Sequence, residues 1–214
     1  MPFYEKLGEA TAAERDYLLS SPAIARCMRG EVSREAYLAF LGQAYHHVRH
    51  TTPLLMLLGG RLPERLAWLR RPVAEYIDEE IGHEEWILDD IAAAGGDAAA
   101  VRASLPDLPA DVMVAYAYDV VNRRNPAGFF GMVFVLEGTS VAMALNAADR
   151  IQQALRLPDG AFSYLRSHGM LDREHTRHLA DLLERMAPED QDEVIRCARV
   201  FFRLYAEIFR ALPA

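Results

Sequence analysis

From Phe129 to Leu145 the chain carries a single ionisable side chain, Glu137, among phenylalanines, methionines and aliphatic residues. A helix that is apolar on every side has to be surrounded, either by lipid or by other helices. At about 17 residues the run sits at the lower limit for crossing a bilayer, and Gly131, Gly138, Thr139 and Ser140 share it with the carboxylate. The reading is therefore the buried central helix of a bundle, with Glu137 in its interior.

The remaining sequence can build that bundle. No segment sustains a period-2 alternation, whereas apolar spacings of three and four recur almost throughout, so the fold class is all-α. Helices are expected at roughly 3–19, 22–29, 34–58, 63–70, 72–93, 97–103, 110–124, 126–155, 159–169, 171–186 and 188–211. Gly59-Gly60, Gly95-Gly96, Asn125-Pro126 and Pro158-Asp159-Gly160 mark stops and starts, and Pro53 predicts a kink inside the long helix 34–58. No linker, repeat or low-complexity run divides the 214 residues, which form one domain over 1–214.

A formal charge of −8 without a dense basic cluster excludes nucleic acid as a partner. Two cysteines, Cys27 and Cys197, supply neither a disulfide scaffold nor a zinc knuckle, which points to a reducing compartment. Met1 leads into Pro2–Lys6 with no basic-then-apolar signal segment, so a cytoplasmic location away from the membrane is expected.

Three groups of ionisable residues point inward. His168, Asp172 and His175 fall at i, i+4 and i+7, within about 60° on a helix. Two imidazoles and a carboxylate suit iron or manganese, with zinc possible in principle; a solvated helix face is the competing reading, because Arg173, Glu174, Arg177 and His178 are also polar. On helix 72–93, the side formed by Val73, Ile77, Ile81, Leu88 and Ile91 also receives Glu80 and Glu84. His83 flanks that face three residues after Glu80, the Glu-x-x-His spacing by which bundles present a carboxylate and an imidazole to one metal. Coincidence on so acidic a helix is the alternative. Glu137 must be neutralised by an arginine from elsewhere, hydrogen-bonded, or coordinated, because an unpaired buried carboxylate costs several kcal/mol or stays protonated. Together the groups supply three carboxylates and three imidazoles, about what two iron ions need. His47 flanks the apolar stripe of helix 34–58, while His46 points away; His47, Tyr45, Tyr76 and Phe134 are expected to line a substrate pocket, packing being the simpler role for each.

These residues resemble the heme-oxygenase-like diiron oxidase and oxygenase superfamily, iron-containing redox enzymes related to the TenA and PqqC folds. The resemblance covers most of the chain and implies a single heme-oxygenase-like helical bundle. In that family a Glu and a His on one core helix, a Glu on a second and a His-x3-Asp-x2-His on a third hold the metal. Carried over, the ligands are Glu80 and His83, Glu137 in V-L-E-G-T-S, and His168, Asp172 and His175 in S-H-G-M-L-D-R-E-H. Some members place the first Glu seven residues before its His, where this chain has Tyr76, and Glu75, Glu79 and Glu84 are substitutes for Glu80. The implied cofactor is a pair of non-heme irons, or iron with manganese. The implied activity is dioxygen-dependent oxidation or oxygenation of a small amine, amino acid or fatty acid by a homodimer.

Two relatives of the same fold fit less well. TenA-type proteins use a cysteine nucleophile and an acidic residue in a Q-D-Y-like segment, where this chain has Ala44, and neither cysteine lies in the middle helices. Heme oxygenases bind heme through a histidine near the N-terminus, and the first 45 residues here contain none. A metal-free enzyme that uses His83, His168 and His175 as acid–base groups, and a non-catalytic iron-binding bundle, are the alternatives to a diiron enzyme.

Overall fold

The computed structural model covers residues 1–214, with side chains described for 1–167 and 176–214. Twelve α-helices follow one another, α1 Phe3–Ala10, α2 Ala12–Leu19, α3 Pro22–Met28, α4 Arg34–Val48, α5 Thr51–Arg61, α6 Arg70–Glu80, α7 His83–Ala93, α8 Ala98–Ala103, α9 Leu108–Arg123, α10 Phe129–Leu155, α11 Ser163–Glu184 and α12 Pro188–Ala211. Segments of 3-10 helix at Glu64–Leu69, Pro126–Gly128 and Asp159–Ala161 lead into α6, α10 and α11, and no strand occurs among the described residues.

Helix α10 is the axis of the molecule, lying against α11 along much of its length and crossing α12. It is the one helix among the described residues long and apolar enough to cross a bilayer, yet 56% of its most apolar window is covered by the rest of the chain. The crossing with α12 needs a glycine: a Cβ on Gly131 would lie 2.7 Å from the backbone of Val194 and Ala198. Around this axis the larger core joins α5, α9, α10 and α12 through Leu54, Leu58, Met113, Phe129, Phe201 and Phe202. A smaller core joins α4, α7 and the facing ends of α10 and α11 through Tyr37, Leu41, Ile87, Ile91 and Phe162.

Several helices read as continuous are broken. The run 3–19 divides at Thr11, whose hydroxyl turns back to the carbonyl of Leu7 (2.8 Å) and is fully buried. The run 34–58 divides at Arg49-His50, and Pro53 falls in the first turn of α5, where its missing N–H costs nothing. The run 72–93 divides at Ile81-Gly82, with Ile81 extended and Gly82 at φ +90°, a conformation that favours glycine. Ile81 is thereby turned outward and 63% exposed, contrary to its expected place on the apolar face. The two runs 159–169 and 171–186 form one helix, α11.

Candidate metal centre and its cavity

The break at Ile81-Gly82 creates the first part of the site. Glu80 ends α6 and His83 begins α7, so the pair straddles an elbow between two helices. The elbow brings Oε2 of Glu80 to 3.3 Å from Nδ1 of His83, with both side chains buried. Trp86, one turn along α7, stacks on the His83 ring at 4.0 Å between centroids and fixes its plane. Of the substitutes for Glu80, Glu75 and Glu79 are exposed and Glu84 is half-buried.

Glu137 enters from α10, 6% exposed, and its Oε1 accepts a hydrogen bond from the hydroxyl of Tyr76 on α6. Tyr4 of α1 stands close enough that burial, and then the Glu137 charge, push its phenol upward. Glu80, Tyr76 and Glu137 face a common cavity of about 180 Å³ whose wall draws on α3, α4, α6, α10, α11 and α12. Apart from this end the wall is mostly apolar, with Met132, Leu136 and Met143 of α10 and Phe40 of α4 prominent in it.

His47 reaches the cavity, its ring edge-on to Tyr205 of α12 at 5.9 Å between centroids. His46 faces elsewhere, as expected, but it is buried, with Nε2 at 2.9 Å from the hydroxyl of Ser104. Two expected pocket residues do not line the cavity. Tyr45 lies about 200° around α4 from His47, where it meets His46 edge-on and carries the Arg49 guanidinium over its ring. Phe134 falls off the α10 stripe that Met132, Leu136, Ser140 and Met143 present to the cavity, and packs on Tyr4 and Phe202. Phe129, Met132 and Met143 of α10 also line the cavity, whereas Phe130 lies outside it. At the far end the wall includes Arg26, Cys27 and Glu31, none of them singled out by the sequence. Burial pushes the Cys27 thiol upward, which disfavours the thiolate.

His168, Asp172 and His175 lie outside the described residues, within the bounds of α11. Among the described residues no three His, Cys, Asp or Glu side chains gather as a metal site. The described residues instead bring together the Glu80–His83 pair, and separately bury Glu137 on the same cavity as Glu80; their nitrogen and oxygen atoms are of the borderline kind that suits iron. The donor types, supplied by α6, α7 and α10, are compatible with iron, and a complete site would need ligands beyond them.

Two other buried carboxylates escaped the sequence reading. Asp90 of α7, with no exposed surface, accepts from the backbone amides of Ser163 and Tyr164 at 2.9 Å each and from the Ser163 hydroxyl, and so caps the start of α11. Asp190 of α12, equally buried, accepts from Arg65 and from Asn125 Nδ2 (2.7 Å). Neither aspartate lines the cavity.

The same architecture recurs in solved structures. A domain of unknown function with a heme oxygenase-like fold from Shewanella denitrificans is 25% identical, with 96% of this chain and 89% of that one aligned at a TM-score of 0.86. A TenA homologue from Pseudomonas syringae pv. tomato aligns over 96% and 90% at 9% identity and a TM-score of 0.78. Heme oxygenase from Leptospira interrogans aligns over 99% and 100% at 15% identity and 0.74. The last two establish likeness of fold alone. No curated protein matches the chain in sequence. The family model for iron-containing redox enzymes matches residues 38–206. That span takes in α4 to α12 and every candidate ligand, and the chain belongs to the iron-containing redox enzyme family.

Proposed function

We propose that this protein is a non-heme diiron oxidase or oxygenase that uses dioxygen to oxidise a small organic molecule with an apolar body. The observation that carries the reading is that two buried carboxylates, Glu80 and Glu137, border one largely apolar cavity, with the buried His83 imidazole 3.3 Å from Glu80, in a chain of an iron-containing family. Glu80, His83 and Glu137 would hold the metal together with His168, Asp172 and His175. Iron bound there would supply the activation of dioxygen.

The chain's own residues do the rest. The apolar wall keeps water from a reactive oxidant and from the carboxylates. An apolar cavity of about 150 Å³ holds a benzene ring, so a cavity of about 180 Å³ admits a ring-sized or short-chain body, such as that of a small amine, amino acid or short fatty acid. His47, its ring set against Tyr205, offers an imidazole nitrogen to accept or return a substrate proton. Trp86 keeps the His83 ring from turning, which preserves the direction of its donor nitrogen.

Anaerobic reconstitution with Fe(II), followed by Mössbauer spectra before and after exposure to oxygen, tests the reading. About two irons per chain in coupled, oxygen-responsive environments are expected. Less than a few tenths of an equivalent would refute the proposal and favour a metal-free enzyme of the same fold.

A further inference from the structure

The carboxylate in the middle of α10 has a partner that the ligand set does not use. Tyr76 stands four residues before Glu80 on α6, so the phenol and the carboxylate leave the helix on the same side, one turn apart. The Tyr76 hydroxyl reaches across to α10 and donates to Oε1 of Glu137. All three side chains border the cavity. Tyr4, the other phenol near this carboxylate, stacks edge-on to Phe134 and lies outside the cavity wall.

We propose that Tyr76 is a positioning residue for Glu137. By occupying Oε1, its hydroxyl holds the carboxylate in one orientation and presents the other oxygen toward the metal position. The same bond ties α6 to α10, and so fixes Glu137 relative to Glu80. A glutamate held in this way gives up less rotamer freedom when it becomes a ligand, and partners of this kind typically contribute 10–100-fold to metal affinity. This role rests on the iron-binding reading above.

The test compares Tyr76→Phe, which removes only the hydroxyl, with Tyr116→Phe. The hydroxyl of Tyr116 reaches Cys197 Sγ (3.7 Å) away from the cavity. Fe(II) affinity is measured by anaerobic competition with a chromophoric chelator, alongside the melting temperature of the metal-free protein. Tyr76→Phe should bind Fe(II) about 10–100-fold more weakly, with Tyr116→Phe unchanged. Placing p-aminophenylalanine at position 76 restores a donor and should recover most of the affinity. Tyr76→Leu carries the same expectation as the phenylalanine variant should that variant fold poorly. Wild-type affinity in Tyr76→Phe or Tyr76→Leu, no recovery with p-aminophenylalanine, or an equal loss in Tyr116→Phe, would overturn the proposal. So would a visible phenolate-to-iron band in the ferric wild type that Tyr76→Phe abolishes, since Tyr76 would then be a ligand itself. A wild type that binds no iron refutes the diiron reading along with this role; a wild type that binds iron regardless of Tyr76 refutes this role alone.

Discussion

Four carboxylates are buried among the described residues, and they fall into two kinds. Asp90 and Asp190 are each surrounded by donors that belong to the framework: two backbone amides and a hydroxyl for one, a guanidinium and an amide side chain for the other. Glu80 and Glu137 instead border a cavity; Glu137 accepts from Tyr76, which borders it too, and Glu80 lies 3.3 Å from the buried imidazole of His83. Burial alone is thus a poor guide to a site, because a buried carboxylate whose acceptors are filled by the chain is a structural joint. Even within the first kind, burial leaves a trace: it holds the Asp90 carboxyl above its ordinary range despite the hydrogen bonds. The useful criterion is what the carboxylate faces.

This contrast can be broken most directly at Glu137. Glu137→Gln keeps an acceptor for Tyr76 but removes the anion, and should cost at least one iron per chain while altering folding stability by less than about 1 kcal/mol. Iron analysis and thermal melts of the metal-free protein check both halves; full occupancy would place Glu137 with the structural pair. The next effect in size runs the other way. Asp90→Ala leaves three donors at the start of α11 without their acceptor and should destabilise the fold by about 3 kcal/mol, read from chemical denaturation. The folded fraction should still bind iron at saturating metal. Asp190→Ala should cost less, about 1–2 kcal/mol, because Arg65 is nearly half exposed and can be rehydrated. An iron defect in Asp190→Ala greater than its loss of folded protein would erase the distinction.

The smallest expected effect concerns the imidazoles that do not border the cavity. Burial, reinforced by the Arg49 charge, lowers the pKa of both His46 and His50, so the folded state prefers them neutral. A lowered folded pKa means that the unfolded chain binds protons first. Stability is therefore full above the unfolded value of 6.5 and declines as pH falls through it toward the folded values. Denaturation midpoints between pH 7.5 and 5 should show this slope, and His46→Asn should flatten part of it. An unchanged slope in the variant would mean that other groups carry the acid sensitivity.

Much of the fold was legible in the sequence, for a reason visible in α10 and α12. Both keep an apolar period over many turns, and Pro188–Ala211 was bounded closely by its flanking proline and terminal residues. What periodicity missed were the breaks at Thr11, Arg49-His50 and Ile81-Gly82. There the hydrophobic pattern continues through a change of direction, and only local cues such as the positive φ taken by Gly82 distinguish a bend from a straight rod. Candidates stood out where chemistry was conspicuous: a lone carboxylate in an apolar run singled out Glu137, which is buried at the cavity, and spacing singled out Glu80 and His83, which lie 3.3 Å apart. The polar part of the cavity wall from α3 and its following turn was not legible, because Arg26, Cys27 and Glu31 reach it only through tertiary packing and carry no pattern of their own. Tyr45 and Phe134, offered as pocket residues with packing as the simpler role, take that simpler role: Tyr45 meets His46, and Phe134 packs on Tyr4 and Phe202.

The elbow at Ile81-Gly82 has a mechanical consequence. Had α6 and α7 been one rod, the distance between Glu80 and His83 would be set by helical pitch and insensitive to the rest of the molecule. Because each belongs to a different rod, small rocking of α7 against α4 or of α6 against α5 changes the gap directly, as the jaws of a caliper follow its arms. A side chain at position 82 would resist the left-handed backbone there and reset the opening without touching either donor. The separation of Glu80 and His83 is thereby set by how α6 and α7 each pack on their neighbours.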